Sequence, residues 1–276
     1  MKMSEVRLRD RIPTLAAILV ALFLFLPILI VVPMSFSTAV SFQFPPPGYS
    51  MGYYRAYFSD PTWLAPTANS FIVATATMVL TMLLSVPAAF AYVRKRFVGR
   101  TAVNLLIMLP LIVPPVVSAL AFYGYLGRAG LTGTLPGMVM AHVSLAIPVS
   151  FLVLCATLKG FDRNLERAAM ISGAGPVRTF FLVTMPTLRS GMVTASMFAF
   201  LASFNEAVVA IFISGRDAGT LPRKMFESIQ LDADPVIAVV STLLIGGVLL
   251  GVVVSSMPRR RSQSRTAAVS LRGPGP

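Results

Sequence analysis

The chain has 276 residues, 56% of them hydrophobic and 12% charged, with a formal net charge of +13. Soluble domains carry about 25% charged residues, so there is too little charge here to cover a water-facing surface, and a purely soluble protein is excluded. The single cysteine, Cys155, excludes an internal disulfide framework and lies in an apolar stretch, where it reads as packing.

Six stretches of 22 or more residues contain no Lys or Arg: 13–35, 68–92, 103–126, 134–157, 191–213 and 236–257. A helix of about 20 apolar residues crosses a hydrocarbon core of about 30 Å. Of the ten acidic residues only Glu206 falls inside these stretches. The sequence therefore predicts an all-α integral membrane protein with six transmembrane helices over 13–257. Along such a path Lys and Arg divide 18 to 5 between alternate sides. Cytoplasmic segments hold the excess, which places both termini, 1–12 and 258–276, in the cytoplasm. The positive charge is thus orientation, not a nucleic-acid patch, and Arg259, Arg260, Arg261 and Arg265 suit anionic membrane lipid.

The first span carries Pro27 and Pro33 and is longer than the 7–15 apolar residues of a signal peptide, so it is expected to be retained. In the external loop Pro45, Pro46 and Pro47 force a bend before Tyr49–Phe58, and Trp63 follows. Aromatic residues collect at membrane interfaces; an interfacial belt and a docking surface for an external partner both fit. Span two ends at the basic cluster Arg94, Lys95 and Arg96. Span three holds Pro110, Pro114 and Pro115, which remove helical hydrogen bonds and should kink or break it. Broken helices at membrane depth persist where protein or a water-filled path satisfies the backbone, so these three prolines are candidates for lining a translocation path. Span four holds the only histidine, His142. A lone histidine fits a hydrogen bond to a neighbouring helix better than a metal site.

Loop 158–190, between spans four and five, is longer than a usual interhelical link. Asp162 or Asn164 can cap a helix and Glu166 falls in its first turn. Leu165, Ala168, Ala169 and Ser172 then share one small, smooth face. Gly173 and Gly175 permit a left-handed helix end and Pro176 blocks continuation. Span five carries Ser203, Asn205 and Glu206. Intramembrane carboxylates face protein or water and often mark a substrate path, so Glu206 either meets a passing cation or makes a structural hydrogen bond. Span six is rich in Gly and β-branched residues, and the basic tail 258–276 has the composition of a disordered segment. No phosphate-binding Gly-x4-Gly-Lys-Ser/Thr loop, paired His/Cys metal spacing or Ser/His/Asp set occurs, so neither catalytic nor metal site is expected.

Ala168-Ala169, then Gly173, then Val183, Met185 and Pro186 at their intervals resemble the signature of permeases of binding-protein-dependent ABC importers. Ala174, Pro176, Phe180 and Phe181 fit its surroundings. Asn69-Ser70, Pro110 with Pro114-Pro115, Ser203-Phe204-Asn205-Glu206, Thr220-Leu221-Pro222 and Asp234-Pro235 look like the second permease of spermidine/putrescine-type systems. The resemblance implies a type I importer permease fold in a bacterial inner membrane, with 164–173 as a coupling helix docked on a separate ATPase. Its implied partners are an ATPase dimer carrying ATP and Mg, a homologous second permease, and a periplasmic or lipid-anchored solute-binding protein. The chain itself would bind no cofactor. Polyamine is the implied solute, with ferric ion, amino-acid derivatives and phosphonates as alternatives; a self-contained secondary transporter or channel is the other class. One departure stands out: Arg167 replaces the family's glutamate before the two alanines, and Glu166 lies about 100° round the helix from it.

Overall fold

The computed structural model describes residues 2–231 and 234–256; the expected tail 258–276 lies outside them. The described elements are helical: α1 (Lys2–Met34), α2 (Gly52–Ser59), α3 (Pro61–Arg94), α4 (Arg100–Ile112), α5 (Pro115–Arg128), α6 (Leu135–Lys159), α7 (Asn164–Ile171), α8 (Pro176–Thr179), a π-helical turn (Phe180–Thr184), α9 (Met185–Thr187), α10 (Arg189–Phe204), α11 (Val208–Ile213), α12 (Leu221–Leu231) and α13 (Val236–Ser256). One isolated antiparallel bridge, Ser37 with Tyr49, folds the first loop back on itself. Two compact units result, one from the chain ends up to Tyr54 and from Pro235 onward, the other from Arg55 to Asp234. In the first, α1 and α13 pack together.

Helix occurs in each of the six predicted stretches, but not as six straight spans. Among the described residues α1 from Pro13, α3 and α6 are long and apolar enough to cross a membrane alone, and α4 with α5 qualify only as a pair bent by 105°. The bend follows from proline sterics. Val113 precedes Pro114 and Pro114 precedes Pro115, and a residue before proline is driven out of the helical region; their ψ angles are 131° and 136°. Pro115 then occupies the first turn of α5, where a missing N–H costs nothing.

Two boundaries differ from expectation. Span two starts at Pro61, not near Ala68, because the Thr62 N–H donates to Asp60 Oδ1 at 2.8 Å and caps an earlier helix start. Span five is not one helix over 191–213. It breaks between Phe204 and Val208, where the Glu206 carboxylate accepts the Val209 N–H at 3.0 Å and starts α11 afresh. The aromatic belt is also only partial: Tyr57 and Trp63 are buried, with Tyr57 bonded to the Thr67 hydroxyl at 3.0 Å, whereas Tyr49 and Phe58 stay exposed.

The Arg55–Asp234 unit is organised by α3, α6 and α10, which pack pairwise. Helices in lipid associate through close van der Waals packing, so small residues belong at their contacts. Along α10 Gly191, Ala195, Ala199 and Ser203 recur every fourth residue, all buried; along α3 Thr77, Thr81, Ser85 and Ala89 do the same. Cys155 packs among Phe151, Leu154, Leu158 and Ala195, as expected. At Gly191 an added Cβ would lie 2.2 Å from Thr157 Oγ1 and 2.7 Å from Thr157 Cβ. Gly191→Ala should force α10 away from α6 and cost about 1–3 kcal/mol as overpacking, visible as lower thermal stability in detergent with the helical signal retained.

Candidate functional site

Predicted over 164–173, α7 spans Asn164–Ile171 and is held at both ends. The Asn164 N–H donates to Asp162 Oδ1 at 2.9 Å. At the other end Gly173 adopts φ +87°, its N–H donates to Met170 O, and the Ala174 N–H donates to Ala169 O, each at 3.0 Å. Those two bonds form a Schellman cap. They give Ala169, Gly173 and Ala174 their physical meaning: a left-handed residue that strongly favours glycine, followed by an amide that closes the helix. Gly175 does not share this role, since its φ is −66°, and Pro176 opens α8 rather than merely blocking α7. Leu165, Arg167, Ala168, Met170, Ile171 and Ser172 are exposed and Ala169 is half-buried, so α7 is open over most of its surface, the small-residue face included.

Glu166 points the other way. It is 9% exposed, and its Oε1 accepts from Arg94 Nη2 at 2.8 Å and from the Thr184 hydroxyl. The Arg94 guanidinium lies 4.6 Å from the Phe90 ring centroid and 5.8 Å from that of Phe161, stacking that suits a planar cation. Burial pushes the Glu166 carboxyl up, but the Arg94 and Thr184 hydrogen bonds and the charges of Arg94 and Arg163 outweigh it and hold it below its ordinary value. Arg94, which reads in sequence only as part of a basic stop cluster, therefore ties α7 to the end of α3. Thr184 ties it to the π-turn, where the Met185 N–H donates to Phe180 O. Phe180 contacts Phe90 and Phe181 edge-on, at 5.5 and 5.1 Å between centroids. Among the signature residues that follow, Val183 is half-buried while Met185 and Pro186 are exposed beside α7's anchor, and Pro176 is exposed at the head of α8.

The opposite end of α3 is clasped too. Asn69 Nδ2 donates to Asp217 O and Gly219 O at 3.0 Å, and the Leu221 N–H donates to Ser70 Oγ at 2.8 Å. Asn69-Ser70 and Thr220-Leu221 thus form one junction, joining α3 to the head of α12. Within α3 this junction and Arg94 are separated by about 37 Å of helix, at about 1.5 Å per residue.

The path candidates occupy different local settings. Ser203 is buried and lies 2.8 Å from His142 Nδ1, joining α10 to α6, so His142 does bond a neighbouring helix. Asn205 is exposed at the end of α10, and half-buried Glu206 caps α11. Pro114 and Pro115 are exposed at the α4–α5 elbow, while Pro110 lines an apolar recess of about 310 Å³ with Val113, Val117, Ser118 and Ser144. Glu206→Gln keeps an acceptor for Val209 and removes only the charge; Glu206→Ala removes both. If the charge serves transport, Gln lowers uptake with membrane insertion unchanged, and Ala does no worse than Gln beyond a loss of stability of about 1 kcal/mol for the missing cap. Uptake assays with both variants, alongside thermal melts, separate the roles.

The site is a short, doubly capped helix pinned to the end of α3 in a bundle with helices long and apolar enough to cross a membrane. Residues 81–263 match the family described as the inner membrane component of binding-protein-dependent transport systems. The putrescine transport permease PotI of Escherichia coli K12 is 30% identical over 82% of this chain and 83% of its own. The spermidine/putrescine permease PotC of Haemophilus influenzae is 25% identical over 87% and 93%. A solved bacterial ABC transporter that imports the polysaccharide alginate superposes with a TM-score of 0.71 at 16% identity, over 94% of this chain and 99% of that one. The chain belongs to the family of binding-protein-dependent ABC importer permeases, and has its type I fold. It is a transport subunit, not an enzyme, and the ATPase of such a system is a separate subunit. The family's names range beyond polyamines: the trehalose permease SugB of Mycobacterium tuberculosis is 26% identical over 60% of each chain.

Proposed function

We propose that this chain forms half of the translocation path of an ATP-driven importer for a small cationic solute of the polyamine class. The observation that carries the coupling half of the reading is the tether of α7: a helix with an outward small-residue face whose one carboxylate is bonded to the end of α3. A push on α7 reaches α3 through Arg94 and the segment entering α10 through Thr184. α3 is one continuous helix, with Pro66 and Pro87 inside it, and is clasped to the head of α12 by Asn69 and Ser70, so it links the two ends. α10 follows through its close contacts with α3 and α6. The breaks at Pro114-Pro115 and at Asn205–Ala207 are the places where the bundle can bend. In this reading the termini and α7 face the cytoplasm, ATP and Mg sit on the ATPase dimer, and a homologous permease completes the path. A solute-binding protein docks at the end of α3 that carries Asn69.

Polyamine specificity is supported by the names of PotI and PotC and by Glu206, a half-buried acid at a helix break. The test is reconstitution in proteoliposomes with the ATPase, second permease and binding protein. ATP-dependent uptake of putrescine or spermidine, absent when any component is omitted, is the expected result. Uptake of trehalose or ferric ion instead removes the polyamine reading; uptake by this chain alone removes the importer reading.

A further inference from the structure

The charge that α7 offers a partner is the opposite of what its only acidic residue suggests. Glu166 is consumed inside the chain by Arg94 and Thr184, and the nearby Asp162 accepts from the first amide of α7. The open side of α7 is left with Ala168, with Met170 and Ile171, exposed by 47% and 88%, and with Arg167, which at about 100° per residue falls between Met170 and Ile171. Arg167 Nη1 reaches only Asn164 Oδ1, at 3.5 Å, a distance at which a hydrogen bond is weak. Its guanidinium, with further donors to spare, stands beside exposed Met170 and Ile171, and its hydrogen-bond partner among the described residues is Asn164, not a carboxylate. A guanidinium at the rim of an apolar docking face matches a carboxylate on the other side, since potentials across an interface are complementary.

Resting on the reading of α7 as the docking helix, we propose that the ATPase surface receiving it is an apolar groove whose rim presents a carboxylate to Arg167. Docking is then basic-to-acidic, with Glu166 an internal positioning residue that never meets the ATPase.

The test uses the complete importer with its own ATPase and binding protein in phosphatidylcholine liposomes, so that no anionic headgroup stands in for the carboxylate. Arg167 is exposed, and Arg167→Gln controls for loss of the side chain's shape. Arg167→Glu is expected to lower ATP-dependent uptake and ATPase retention by at least about tenfold, with Arg167→Gln between it and wild type, as for a close interfacial charge pair. Replacing the facing ATPase carboxylate by arginine should restore uptake to Arg167→Glu and impair it in the wild type. Equal or better uptake by Arg167→Glu overturns the inference, because the groove would then be basic. So does normal behaviour in neutral liposomes with loss only in anionic ones, which would assign Arg167 to lipid. Failure of the wild-type complex to retain an ATPase at all is a different result, and removes the docking reading itself.

Discussion

Arg94→Ala abolishes most ATP-driven uptake while the protein still inserts and packs: this is the largest effect expected of a single change. The variant leaves Glu166, 9% exposed, with Thr184 as its remaining hydrogen-bond partner among the described residues. Losing a hydrogen bond to a charged group costs about 1.5–3 kcal/mol, and each 1.4 kcal/mol shifts an equilibrium about tenfold. The loss falls on the population in which α7 is fixed to α3, not on the bundle, whose contacts lie among α3, α6 and α10. Arg94→Lys retains a charge but not the planar stack on Phe90, and should recover part of the activity. Glu166→Leu alone should be as damaging, since it strands Arg94. The double variant Arg94→Ala/Glu166→Leu should do better than the sum of the two, because an ion pair removed whole leaves no unpaired charge. The readout is solute moved per ATP hydrolysed, which falls when force is lost between α7 and α3 and is unaffected by simple loss of protein. Strictly additive effects of the two single variants would mean that the pair carries no coupling.

Gly173→Asp is the second. Gly173 holds φ +87°, and a Cβ there would meet nothing within 4 Å. The conformational penalty is about 1–2 kcal/mol for an ordinary residue in the left-handed region and smaller for Asn and Asp, so for the aspartate the added charge dominates, with no clash within the described residues. The aspartate adds a negative charge at the negative end of α7's dipole, which is unfavourable by about 0.3–1 kcal/mol, and it places that charge on the outward face. Both effects act on the helix end that the Gly173 and Ala174 amides close. A graded series follows. Gly173→Asn, which tolerates the left-handed region, should retain most uptake; Gly173→Ala should lose some; Gly173→Asp should lose nearly all, with ATPase activity no longer responsive to the binding protein. Equal uptake by the aspartate variant and wild type would show that neither the cap nor the face is used.

The features legible in the sequence are those fixed by neighbours along the chain. The start and end of α7 were readable because Asp162, Glu166 and Gly173 act within one or two turns of where they stand. The α4–α5 elbow was readable because a proline constrains its own residue and the one before it. The break in span five was not, although its cause lies in the same stretch: an apolar window conceals that Glu206 can reach forward to the Val209 amide and restart the helix. The early start of α3 was missed because membrane length, not the Asp60 cap, set the expected boundary. Residue type suits Trp63 to an interfacial belt or an external docking surface, yet tertiary packing buries it. Least legible was the tether itself. Arg94 and Glu166 are 72 positions apart, and no periodicity or local motif pairs a stop-cluster arginine with one acid in a distant loop. A buried carboxylate must find a base, but several cations share that side of the protein and only the fold chooses among them.

The most direct test of the account is contact at α7. Ile171 is 88% exposed on the outward face and Cys155, the one native cysteine, is buried. A cysteine at position 171 in the assembled importer should crosslink to the ATPase subunit through a short bifunctional reagent, with a yield that changes when ATP closes the ATPase dimer. A label at position 171 that reacts freely from the side opposite the ATPase, or that never joins it in a complex active for uptake, contradicts the account.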